Sequence, residues 1–74
     1  SMIELTSFNG KIFYLNPDLI YRMEEVPDTT ITLVDGKSLI VRESAKDVVN
    51  LIISYRQQTL SQVANVLKLE SEEG

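Results

Sequence analysis

Hydroxyls and carboxylates are the reactive side chains this sequence offers most freely, at Ser7, Ser38, Ser44, Ser54 and Ser61 and at eleven Asp or Glu positions, with His 0 and Cys 0. Without imidazole no proton relay of the usual kind activates a serine, and without thiolate or imidazole the common zinc ligands are missing. No motif supports a lysine-assisted serine either. Glu24, Glu25 and Asp28 lie close in sequence, yet neighbouring strand residues point to opposite faces and a turn acid often caps backbone amides. They predict solvated or capping carboxylates rather than a metal site. Gly10-Lys11 and Gly36-Lys37 lack the converging amides, fixed Lys and hydroxyl of a phosphate loop, and fit hairpin turns instead. Phe8, Phe13, Tyr14 and Tyr21 could form a stacking platform for single strands only beside a basic groove. Sheet packing is the simpler use. No catalytic residue, cofactor or metal is expected, and the chain does not read as an enzyme.

The elements that carry these residues form one small domain. The chain has 74 residues, 43% hydrophobic, with Gly 3 and Pro 2; a domain of that size buries only about 60% of its unfolded surface. Seven bases face eleven acids, for a net charge of -4. Glu70, Glu72 and Glu73 account for most of that excess. The body is therefore close to neutral, which disfavours nucleic acid as a partner. No apolar run approaches the ~20 residues of a membrane helix, and no secretion signal is visible, so the expected address is cytoplasmic.

Residues 2–8 alternate as Ile3-Glu4-Leu5-Thr6, Asn9-Gly10 interrupts, and 11–15 resumes with Ile12, Phe13, Tyr14 and Leu15. That pattern predicts a hairpin. Asn16-Pro17-Asp18 is a compact break before a third strand over 19–26, and Pro27-Asp28 supplies the next reversal. Residues 29–34, Asp35-Gly36 and 37–42 form the strongest hairpin signal in the chain. Two-residue turns would pair Thr6 with Phe13, Leu5 with Tyr14, Ile31 with Ile40 and Thr32 with Leu39; a bulge or a longer turn would redistribute them. Ser44, three residues before Asp47, caps a helix whose apolar stripe is Val48, Val49, Ile52, Ile53 and Tyr55. Beyond a polar patch at Gln57 and Gln58, the residues Leu60, Val63, Ala64 and Leu67 resume helical spacing. They predict either a continued helix or a separate adhesive segment.

The expected fold is α+β: a five-stranded antiparallel meander over about 2–43, with a C-terminal helix on one face over about 45–58, continuing to about 68. The domain spans 1–69 and a flexible acidic tail 70–74. In the two-residue registers both sheet faces carry apolar side chains, while one helix covers one face. The remainder predicts either curling toward a partial barrel or burial against a second protein surface. Phe13, Leu15, Leu39 and Val41, with Leu60, Val63 and Leu67 on the helix, are the candidate interaction residues. A homo-oligomer is one way to satisfy them.

A family resemblance enters here. Asn9-Gly10-Lys11, Tyr14-Leu15-Asn16-Pro17-Asp18-Leu19-Ile20, Glu24-Glu25, Pro27-Asp28-Thr29, Ile31-Thr32-Leu33, Asp35-Gly36-Lys37 and Val41 with Glu43-Ser44 together resemble the small FlbD/SwrD family of bacterial flagellar-operon proteins, from about Met2 to Ile53. Each turn is common, but the ordered series is specific. The resemblance implies a non-enzymatic, cytoplasmic flagellar accessory or adaptor in motility and swarming. It acts by protein-protein interaction, peripheral to the motor at the inner membrane, and supports motor power through a stator-associated partner. A small regulatory nucleic-acid binder using Lys11, Arg22, Lys37 and Arg42, and a purely structural oligomer subunit, are the competing readings.

Overall fold

The computed structural model describes the backbone of residues 2–73 and the side chains of residues 2–68. The order is β1 (Ile3–Thr6), β2 (Ile12–Leu15), a 3-10 helix (Pro17–Leu19), β3 (Ile20–Glu24), β4 (Thr29–Leu33), β5 (Ser38–Val41) and α1 (Ala45–Glu73). All strand pairs are antiparallel, but they form two sheets, β1-β2 and β3-β4-β5. The single five-stranded meander expected from the sequence is therefore incorrect, and no barrel closes.

The break falls where Pro17 removes a backbone donor. Asn16 accepts a bond from the Asp18 amide at 3.0 Å, and Leu19 donates to the Asn16 carbonyl at 3.1 Å. Those local bonds turn the chain into a 3-10 helix instead of handing β2 directly to β3. The sheets meet elsewhere. Ser7 bridges Val41, the Phe8 amide donates to Ile40 O at 3.0 Å, and the Arg42 amide donates to Thr6 O at 2.9 Å. On the other side, the Val34 amide donates to Leu19 O at 2.8 Å.

Both hairpins use one turn design. Gly10 donates to Ser7 O at 2.9 Å while Ser7 donates to Lys11 O at 2.8 Å, and Gly36 with Leu33 and Lys37 repeats those distances. The glycines adopt φ of 90° and 91°, as in a three-residue loop that ends in a left-handed glycine. Asn9 and Asp35 each accept from the lysine amide two residues on, at 3.2 and 3.0 Å.

That extra loop residue shifts each register by one from the two-residue expectation. Leu5 faces Phe13, Ile3 faces Leu15, Ile31 faces Leu39 and Thr29 faces Val41. A one-residue slip exchanges the faces of a strand, and here it gathers the apolar residues. Ile3, Leu5, Leu15, Ile31, Val41 and Val48 form one buried cluster, with Phe13, Met23, Leu39, Leu51, Ile52 and Tyr55 among those packed against it. The opposite faces still carry Ile12 and Tyr14 beside Thr6 and Glu4, and Ile40 beside Thr30, all three exposed.

The helix begins as its sequence signals indicate. The Ser44 hydroxyl accepts from the Asp47 amide at 3.1 Å, and Val48 donates to Ser44 O at 3.0 Å. One residue earlier, the Glu43 carboxylate accepts from the Thr6 amide at 2.9 and 3.1 Å and from the Thr6 hydroxyl at 2.8 Å. This clamp fixes the end of β1 to the start of α1. Burial at Glu43 pushes its pKa upward, but donation from the Thr6 amide and hydroxyl, and from its own backbone, outweighs this and holds it below 4.5.

Tyr55 is the last helix residue packed on the core. At about 1.5 Å per residue, the 29 residues of α1 reach well past the sheets. The molecule measures 54 × 22 × 19 Å, and its radius of gyration is 15.6 Å against about 11 Å for a compact chain of this length. The acidic tail expected over 70–74 lies outside the described side chains.

Two measurements test this packing. Leu5→Ala empties a fully buried site and should cost about 2–5 kcal/mol in denaturant unfolding, whereas Gly36→Ala, with open space around it, should cost about 1 kcal/mol through backbone strain alone. A depressed native carboxylate stabilises the fold above its unfolded pKa, and that contribution vanishes as pH falls through the native value. Glu43→Gln should therefore unfold more easily than the parent at pH 7, with the gap narrowing below about pH 4.5.

Candidate protein-interaction site

Phe8 and Ile40 stand where the two sheets join. Phe8 occupies the turn between β1 and β2, is 68% exposed, and is tied through its amide to Ile40, which is 43% exposed. Arg42 reinforces this turn by donating from Nε to Phe8 O at 3.3 Å. Its guanidinium also lies against Gly10, where an added Cβ would meet it at 3.4 Å. The aromatic ring is thus presented on a braced loop.

On one side of this pair lies an apolar cleft of about 450 Å³, floored by Phe13, Leu15 and Leu39. On the other lies a depression of about 480 Å³, bordered by Glu25, Asp28 and Arg42 and sharing Phe8 and Ile40. The arrangement is an apolar ridge and socket beside a mixed-charge rim. Such a surface can receive an apolar anchor and orient it with charged groups. It contains no imidazole or thiol, since the chain has none. Among the described residues no group of acids converges to hold a metal ion.

The expected interaction residues divide into three sets. Leu15 and Val41 are buried in the core. Phe13 and Leu39 are half-buried and reach the cleft floor. Leu60, Val63 and Leu67 are exposed on the distal part of α1, remote from the core cluster. Sequence reasoning missed Phe8 and Ile40 because the shorter turns placed them differently. The available signal was Phe8 beside Asn9-Gly10, an aromatic residue opening a turn.

Three of the four basic residues of the nucleic-acid reading, Arg22, Lys37 and Arg42, have local partners. Arg22 pairs with Glu24 at 2.8 Å, and Lys37 lies 3.9 Å from Asp35. Arg42 is spent on the Phe8 turn. Among the described residues no helix is long and apolar enough to cross a membrane.

Because Arg42 ties the Phe8 turn, Arg42→Ala should loosen the Phe8 loop while leaving the core intact. Amide exchange at Phe8 and Gly10 should accelerate more than at Leu5 or Ile31. Uniform acceleration at all four amides would show that Arg42 supports the whole fold.

Comparison with known proteins gives no match to a curated protein and none to a solved structure. One family matches, FlbD, described as Flagellar and Swarming motility proteins, over residues 2–60. That span contains both sheets, the Glu43 clamp, the cleft and the core-packed part of α1. With most of its length matched, the chain belongs to the FlbD family of flagellar and swarming motility proteins.

Proposed function

We propose that the protein is a non-enzymatic flagellar accessory that docks on a motor or stator-associated partner and supports motor power. The observation that carries this reading is the apolar cleft beside exposed Phe8 and Ile40, braced by Arg42. An aromatic anchor held on a rigid turn loses little conformational freedom on binding, which favours recognition by contact. Phe13 and Leu39 provide the apolar floor, while Glu25, Asp28 and Arg42 border the neighbouring depression. In this reading the protein works in the cytoplasm, at the inner face of the motor.

Phe8→Asp combined with Ile40→Asp should remove the ridge without emptying the core. The double variant should retain the parent melting temperature within a few degrees, because neither side chain is buried. When it replaces the parent protein in a motile cell, motor torque and swarming should fall to the level seen without the protein. Undiminished torque with the variant present at parental abundance would overturn the docking proposal.

A further inference from the structure

The distal part of α1 bears a second apolar surface, separate from the cleft. Ile53, Leu60 and Leu67 recur at intervals of seven residues, with Val49 and Val63 at the intervening three- and four-residue steps. All five are substantially exposed. Their seam lies to one side of Val48, Leu51, Ile52 and Tyr55, the residues that face the sheets. A sevenfold apolar seam is the pattern by which one helix fits the side-chain ridges of another. Arg56 occupies the remaining internal position of the seam, and its guanidinium is drawn to Asp18 at 2.8 Å, beside the body.

We infer that this seam pairs with the same seam of a second copy of the chain, independently of the docking cleft. Two observations favour an identical partner. The positions flanking the distal seam are Gln57, Thr59, Ala64 and Val66, so no like charges oppose self-pairing and none selects an oppositely charged helix. Thr59, Ser61, Val63, Asn65 and Val66 are indifferent helix formers, and such a segment with no packed neighbour is marginal as an isolated helix. A partner along the seam supplies the missing packing.

The available area also sets the strength. From Val49 to Leu67 the seam covers about 28 Å of helix, and two such helices enclose on the order of 900 Å² in total when half of each ~10 Å cylinder is covered. This lies below the ~1,200 Å² at which stable specific interfaces begin and suits a weak, reversible dimer.

Sedimentation of the full chain from about 10 µM to 1 mM, with circular dichroism on the same samples, tests the inference. The expected result is a monomer–dimer equilibrium in which mean helicity rises with the dimer fraction. Leu60→Lys combined with Leu67→Lys should weaken the dimer at least about tenfold, while the thermal transition of the monomeric sheets is retained. Phe8→Asp should leave the equilibrium unchanged. A monomer across the whole range would overturn the inference. So would a dimer that survives the double lysine variant, one abolished by Phe8→Asp, or a helicity gain on phosphatidylcholine–phosphatidylglycerol vesicles with no dimer in solution.

Discussion

The conformation of Gly10 and Gly36 sets the packing of the whole molecule. At φ near +90°, where a side chain is strained, each glycine closes a loop one residue longer than the tightest hairpin. The added residue fixes which strand residues stand opposite one another, and thereby which side chains face inward. Leu5, Phe13, Ile31 and Leu39 reach the core side only in these registers. The clamp between Thr6 and Glu43 and the bonds linking Ser7, Phe8, Ile40 and Arg42 then join the three-stranded sheet and α1 to a two-stranded hairpin that is marginal alone.

Much of this organisation is legible in the sequence. Alternation in Ile3-Glu4-Leu5-Thr6, the two glycine turns and the Ser44 cap locate the elements because each depends on local backbone preference. Register is different. Asn-Gly and Asp-Gly suit both two- and three-residue loops, and the choice rests on packing between segments distant in sequence. Pairing Thr32 with Leu39 gives an apolar residue a polar neighbour, whereas pairing Ile31 with Leu39 closes a core with β1 and α1. The separation of the sheets has the same nonlocal origin. Pro17 announces a break, but only the bonds from Val34 to Leu19 and from Phe8 to Ile40 show how the chain rejoins across it.

The corrected register also changes the candidate surface. Leu15 and Val41 work as core residues, and the apolar cleft lies at the corner occupied by exposed Phe8 and Ile40. A corner braced by Arg42 is better suited to specific contact than a flat exposed sheet, because a flat apolar sheet with open edges invites indiscriminate strand pairing. The outer faces are mixed: Glu4 and Thr6 stand beside exposed Tyr14 and Ile12 in one sheet, and Thr30, Thr32 and Ser38 beside Ile40 in the other.

The same distinction between internal packing and external contact divides α1. Its first turns present Val48, Leu51, Ile52 and Tyr55 to the sheets, and the Arg56–Asp18 pair marks the edge of the body. That pair is exposed on both sides, so screening limits its strength and it does little to support the helix beyond. The family match ends at residue 60, close to where core packing also ends. The cleft consequently belongs to the part of the chain that carries the family signature, while Leu60, Val63 and Leu67 lie at or beyond its boundary. Packing of the sheets constrains the first region, since an altered residue there disturbs the core. The distal helix has no such internal constraint, and its apolar spacing calls for an explanation in what lies against it.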